Sequence, residues 1–472
     1  MSPTRRAVRH ERPLLRPIVS PASGEVIGEV RVYSESEILE RLASLPRGAV
    51  EIDRTEALAF LDRLRAATLD RREELIETTV LETGFTETDS REMLDGSIEF
   101  LRDFAVHARE QDAPPRTVPH SYSGSSSRQM QILNRPYHCV GAIVPQNASF
   151  VLAVTIIASA LYAGARVVLR PSLQCGVTGA WLEELVAMSR PPDRSVQVLN
   201  CLASDFISAC QRSEAIDLIH YIGSNEYALD VLTETFRARK SCLLDGQGNG
   251  LLYVDRGFPV EEAADLITSG ATRFNGETCT SINGVLAHES LYHELRDALV
   301  AAIKRLEVGH PLAPTTRVGP LFSARQAATL DERLRARPQR MICGGHLHEA
   351  YFAPAIVENM TIGGSLIREG FFGPAVWLQP VSEDTAFDWI RANAFPLSDT
   401  ILSTREEQVR RFAAESRAAR VCVNSDPSLE SAFEPWGGYP PSGLNPVSIW
   451  IDKYRQCYQM DGEPRHLRLA SA

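Results

Sequence analysis

"HCVGAIVPQNASFVLAVTIIASALYAGARVVLR", residues 138–170, sets two short β-branched runs on either side of one long apolar run. The flanking runs, HCVGAIVP and ARVVLRP, have the length and the Val/Ile content of buried strands. The middle run, Phe150–Ala165, is shorter than the ~20 residues a membrane span needs and leads straight into the second strand. It reads as a core helix. Strand, helix and strand at this spacing make a crossover unit, and such units build parallel sheets.

Downstream the alternation continues through a helix near Trp181, SVQVLN, a helix, IDLIHYIGS, a helix and SCLLDG. A second alternating segment starts at GLLYVD and runs through VLAHESLYHELRDALVAAIKRLEVG, AIVEN and AVWLQPV to ARVCVN. Upstream, residues 37–110 are mainly helical, with apolar residues at three- and four-residue spacing in TEALAFLDRLRAATLDRREELIETTVLETG. A polar, serine-rich stretch, PHSYSGSSSRQM, separates that opening from the first strand. The tail, FEPWGGYPPSGLNPVSIWIDKYRQCYQM, holds an alternating segment that suits an edge strand pairing with something else. The expected fold class is α/β.

At 472 residues with 44% hydrophobic and 23% charged, the chain is too long for one simple core, so two or three domains are expected. A net charge of −11 repels a polyanion, which argues against nucleic acid as a partner. Nine cysteines without a CxxC pair suit reduced thiols, and the expected compartment is the cytoplasm. The arginine-rich start, MSPTRRAVRHERPLLRP, has no apolar segment after Arg5 and Arg6, so it reads as a loose arm and not an export signal. No membrane association is expected.

Ligands of open α/β sheets bind beyond the carboxyl ends of the strands. There this chain places PQNAS, RPSLQ and IGSNE, and the last opens a helix whose free N–H groups suit a phosphate. GQGNG (246–250) lacks the spacing of the dinucleotide fingerprint. In FNGETCTSING (274–284), Cys279 is flanked by Thr and Ser, where a packing cysteine normally has Val, Leu or Ile. Such surroundings suit a partly exposed thiol held as thiolate, although a structural thiol stays open on this observation alone. Cys343, His346 and His348 in CGGHLH lack a fourth ligand, so no metal is expected and the histidines read as a surface turn.

Taken in order, PQN, RPS, IGSNE, LLDGQGNG, GETC, GFFGP and PWGGYPPSG resemble the motif series of the aldehyde dehydrogenase superfamily, from SPASGEVIGEV to the tail. The resemblance implies a Rossmann-type cofactor domain (1–114 and 138–245), an α/β catalytic domain (246–433) and a small oligomerisation element (115–137 and 434–472). It implies NAD or NADP as cofactor and Cys279 as the nucleophile, forming a thiohemiacetal and then an acyl-thioester. Asn147 and the Cys279 backbone N–H would steady the oxyanion. By the same resemblance, Arg170 and Ser172 meet the adenosine end, Gly223 and Ser224 the pyrophosphate, and Phe372 with Pro374 borders the nicotinamide. Edge-strand exchange in the small element implies a homodimer or homotetramer.

Three carboxylates usual in the family are missing. The deacylation base maps to Leu244, or one residue along to Asp245, a shorter acid on the opposite face of a strand. Leu173 replaces the glutamate that binds the adenosine ribose, which leaves a 2′-phosphate unopposed. Gly370 replaces the glutamate at the nicotinamide ribose, with Glu369 one position early. Glu277 stands where the family has glutamine, as either a solvated loop charge or a spare base. Without a positioned base, hydrolysis slows roughly 10²–10⁴-fold. Two alternatives therefore stand beside aldehyde oxidation: a coenzyme A-dependent acylating enzyme or acyl-thioester reductase, and a non-catalytic relic that binds a ligand. The aldehyde is not legible, because pocket walls come from loops.

Overall fold

The computed structural model describes residues 14–46, 52–112, 116–121, 127–336 and 338–462. The arginine-rich start lies outside these residues up to position 13. Two seven-stranded sheets carry the architecture, with a three-stranded sheet beside them.

In the first sheet the parallel strands Ser241–Asp245, Leu218–Ile222, Cys139–Ile143, Arg166–Arg170 and Val196–Val198 lie side by side in that order. Cys139–Ile143 and Arg166–Arg170 are buried along their whole length, which is why they read as continuous apolar runs without alternation. The helix Ser149–Ala163 between them is apolar almost all round and packs inside one core cluster with Phe60, Leu64 and Leu182. It ends where Gly164 takes the left-handed conformation, φ +98°. Of the 18 residues Gln146–Ala163, apolar enough to cross a membrane by length and composition, 78% are buried in the protein. The opposite face is covered by Glu35–Ala43, Ala203–Arg212 and Asn225–Arg237, through Leu42, Phe206 and Val231.

Strand order reverses between Cys139–Ile143 and Leu218–Ile222, and the crevice at such a switch point is where α/β sheets take ligands. The turns bearing Asn147 and Gly223 leave these two strands at that point.

The second sheet runs Arg340–Cys343, Ala355–Glu358, Ala375–Val381, Ile282–His288, Gly250–Val254, Ser398–Leu402, Arg420–Val423, parallel except for its first strand. The Asp245–Gly250 link joins the two sheets, so GQGNG serves as an inter-sheet crossing. The tail divides: Trp436–Gly438 and Gly443–Ser448 extend the first sheet antiparallel, while only Arg455–Gly462 pairs with Ser127–Pro136 in the small sheet. His346 and His348 are exposed beside the two-residue strand pair Leu347–His348 and Tyr351–Phe352.

Candidate active site

Cys279 owes its position to an unusual turn. After the helix Val260–Thr272, Phe274, Asn275 and Gly276 all have positive φ, of 50°, 55° and 66°. For the two non-glycine residues this conformation costs about 1–3 kcal/mol each. Asn275 offsets it: its buried amide donates to Gly84 O (3.0 Å) and Pro320 O (2.9 Å), and its Oδ1 accepts from Gly319 N–H (2.8 Å). The turn delivers Cys279 just before Ile282–His288, with Thr278 and Ser281 hydroxyls 2.7 Å apart around it. Gly248 packs on the Cys279 carbonyl so closely that a Cβ there would lie 2.0 Å from the oxygen.

A cavity of about 990 Å³ surrounds the half-buried thiol. Asn147, half-buried on a 3₁₀ turn, lines it together with Gly223, Ser224, Asp245, Gly246, Gln247 and Phe372. Cys279, Asn147, Gly223, Ser224 and Phe372 thus meet in one space, although 225 residues separate Asn147 from Phe372 in the chain (372 − 147). Arg170 and Ser172 do not line it. The Arg170 guanidinium is buried with Nε on Cys201 O (3.0 Å), and the Ser172 hydroxyl caps its own turn by accepting from Gln174 N–H (3.3 Å).

The thiol departs from the sequence expectation of a ready thiolate. Burial pushes its pKa up, and the charges that reach it, Glu430 and Asp245, are both negative and raise it further. Deprotonation therefore needs a proton acceptor.

Asp245 is committed elsewhere. Its carboxylate lies 2.7 Å from His220 Nε2 and accepts twice from Asn445 Nδ2 at 2.9 Å. His220 Nδ1 meets Tyr454 Oη at 3.0 Å, and Asn445 Oδ1 accepts from Lys453 Nζ at 2.9 Å. Burial lowers the Lys453 pKa to about 8, against the opposing pull of Asp245. Sequence reasoning missed this network. One signal was available, a histidine inside the buried strand IDLIHYI, but its partners lie over 200 residues away at 445, 453 and 454.

Glu277 is neither solvated nor free. Fully buried, it accepts from Phe322 N–H (3.3 Å) and Gln326 Nε2 (2.6 Å), and burial raises its pKa well above the carboxylate range. Gly370 has φ +63°, and a Cβ there would come within 2.6 Å of Asn283 Oδ1, so the backbone shape itself excludes a carboxylate. Glu369 points to Arg333 at 3.6 Å, and its carbonyl accepts from Gln247 Nε2. Leu173 and Leu244 are buried.

For a dinucleotide the decisive feature is the N-terminus of Asn225–Arg237, which opens on the cavity through Gly223 and Ser224. Ser224 Oγ satisfies only the Glu226 N–H, and the macrodipole favours an anion there. These residues fit a pyrophosphate.

The sequence model described as "Aldehyde dehydrogenase family" matches residues 10–460. A chloroplastic betaine aldehyde dehydrogenase of Beta vulgaris is 25% identical over 470 residues, covering 95% of this chain and 93% of that protein. An aminoaldehyde dehydrogenase of Arabidopsis thaliana is 25% identical, covering 94% and 92%. Among solved structures, an NAD-dependent aldehyde dehydrogenase from Sinorhizobium meliloti aligns with a TM-score of 0.87 at 25% identity, over 95% of this chain and 92% of that one. The NADP complex of a Methanocaldococcus jannaschii glyceraldehyde-3-phosphate dehydrogenase shares the fold, with a TM-score of 0.83 at 21% identity, over 96% and 99%.

Proposed function

Since this chain belongs to the aldehyde dehydrogenase family, we propose that it oxidises an aldehyde with NAD or NADP through a covalent adduct on Cys279. The observation that carries the assignment is the single cavity shared by Cys279, Asn147 and the Gly223–Ser224 helix start. The thiolate adds to the carbonyl carbon, and the Asn147 side-chain amide with the Cys279 N–H receives the developing oxyanion. When bound, the nicotinamide accepts the hydride that leaves the thiohemiacetal. Gly223 and Ser224 would hold the pyrophosphate, and Phe372 would border the ring. Buried Leu173 presents no charge to a 2′-phosphate, so both cofactors are admitted. The coenzyme A and relic readings are not favoured, since the relatives named above are aldehyde-oxidising enzymes.

The substrate we assign is an aldehyde bearing a cationic head. One face of the helix Glu87–Gln111 brings Glu92, Glu99, Phe100 and Asp103 to the cavity, and the facing loop adds Glu430, Phe433, Glu434 and Trp436. Arg333 is the only basic residue on the cavity wall among the described residues. Carboxylates mixed with aromatic faces attract an ammonium group. The names of the relatives, betaine aldehyde and aminoaldehyde dehydrogenases, agree with that chemistry.

The test is Cys279→Ala with NAD(P) and ammonium-bearing aldehydes. Aldehyde-dependent NAD(P)H formation should fall to background, while thermal stabilisation by the cofactor persists. Turnover surviving in the variant would defeat the assignment.

For assembly we propose a homodimer or a homotetramer of dimers. Among the described residues, Arg116–Ser121 and Arg455–Gly462 are the two edges of the small sheet and neither has a second strand partner. A stable monomer in light scattering would refute this. All nine cysteines are free, which supports a reducing compartment such as the cytoplasm.

A further inference from the structure

Hydrolysis of the acyl-enzyme needs a base; Glu430 and Asp245 are the carboxylates whose charge reaches Cys279, and Glu277 stands two residues before it in the chain. Glu277 is fully buried, with Oε1 held by Phe322 N–H and Gln326, and does not line the cavity. Asp245 lines it, but its oxygens are taken by His220 and Asn445. Glu430 remains. It lines the same cavity as Cys279 and the adjoining Thr280, and keeps 34% of its side chain exposed.

We infer that Glu430 is the general base that activates water against the acyl-Cys279 thioester, in place of an acid on the strand Ser241–Asp245. The inference rests on the reading of Cys279 given above. In the step, a Glu430 oxygen takes one water proton while the water oxygen bonds to the acyl carbon. The carbon–sulfur bond then breaks, the carboxylic acid leaves, and the Glu430 proton returns to the Cys279 sulfur. No oxidant or reductant is consumed.

The loop carrying Glu430 is held by a rigid element. Arg420, on the second-sheet strand Arg420–Val423, donates to Pro427 O (2.7 Å) and Leu429 O (3.0 Å). Its guanidinium also lies 3.5 Å from Glu430 and 3.1 Å from Glu434. The groups acting on Glu430 are thus Arg420 and Thr280, which favour its charged form, and Glu434, Cys279 and Cys422, which oppose it, the two thiols when charged. Loss of water on the side of the carboxyl that faces the cavity walls outweighs the first pair and brings it up to about 7, the range in which a base works best at neutral pH.

The test uses p-nitrophenyl acetate on the full chain without cofactor, so that acylation and deacylation are read apart from hydride transfer. Wild type should release a burst of p-nitrophenolate and then turn over. Glu430→Gln should keep the burst, which also reports a folded site, and lose steady turnover roughly 10²–10⁴-fold. Its acetyl group should persist on Cys279 by intact mass. Wild-type deacylation should rise through pH 7 and level off, and the variant should lack that rise. The inference is overturned if Glu430→Gln turns over like wild type, if its burst disappears, or if Glu277→Gln alone accumulates the adduct. A wild type that takes no acetyl group on Cys279 overturns both this inference and the reading beneath it.

Discussion

His220 Nε2 and Asp245 Oδ2 stand 2.7 Å apart on neighbouring parallel strands, both buried, with Asp245 at the cavity wall. The pair works as a support. It holds the end of Ser241–Asp245, and through Asn445 it ties the antiparallel strand Gly443–Ser448 to the first sheet. Removing one member leaves buried polar groups without partners. Asp245→Ala should destabilise the protein by about 3–5 kcal/mol in urea denaturation, and Asp245→Asn by less. A loss below 1 kcal/mol (about the worth of an exposed pair) would show that the network is dispensable.

Gly248→Ala tests the placement of the nucleophile. The new Cβ would meet the Cys279 carbonyl, and displacing a reacting group by about 1 Å costs on the order of 10²-fold in rate. Single-turnover acylation of Cys279 should slow by that order, while cofactor-induced thermal stabilisation stays. An unaltered acylation rate would mean that the loop yields without moving the sulfur.

Glu82 carries a pH prediction for stability. Its carboxylate accepts from Val177 N–H (2.6 Å) and Thr178 N–H (3.0 Å) at the start of Gly176–Ser189, yet burial wins and raises its pKa to about 7. A raised folded-state pKa gives stability that is complete below the unfolded value near 4.5 and is lost as pH rises through about 7. Wild type should therefore lose stability relative to Glu82→Gln between these two pH values. Parallel melting temperatures of the two proteins across the window would contradict it.

The acidic, aromatic wall predicts charge selection. Between matched aldehydes, an ammonium terminus should give higher kcat/KM than a neutral isostere, and a carboxylate the lowest. Rising ionic strength should narrow the gap by screening. Phe433→Ala should remove about 0.5–2 kcal/mol of ammonium attraction, seen as a higher KM for the cation only. Preference for the carboxylate-terminated aldehyde would refute the assignment.

Asn275→Ala should be among the more damaging polar substitutions. It deletes three buried hydrogen bonds and leaves a left-handed residue without the side chain that holds it. A loss of about 2–4 kcal/mol is expected, at roughly 1 kcal/mol per hydrogen bond plus the strain. Chemical denaturation measures it directly, and a near-neutral result would place the turn's stability elsewhere.

The α/β class, the parallel strands around residues 138–170 and the motif order were determined by the sequence alone, because burial on both faces writes itself as continuous apolar runs and turn chemistry is local. Cys279 and Asn147 were singled out by the resemblance of the motif order and not by their local surroundings, and both line one cavity. Which groups reach the thiol was decided by the tertiary structure. That the Asp245 carboxylate is held by His220 and Asn445 is visible only in the fold. Arg170 turns inward to Cys201, and the tail splits between two sheets, through contacts far apart in the chain. Glu430 left no trace in its own loop sequence, SLESAFEP, since its neighbours Thr280 and Arg420 come from other strands and loops. Periodicity and turn chemistry act over a few residues, whereas the field at a catalytic atom sums charges the fold alone brings together.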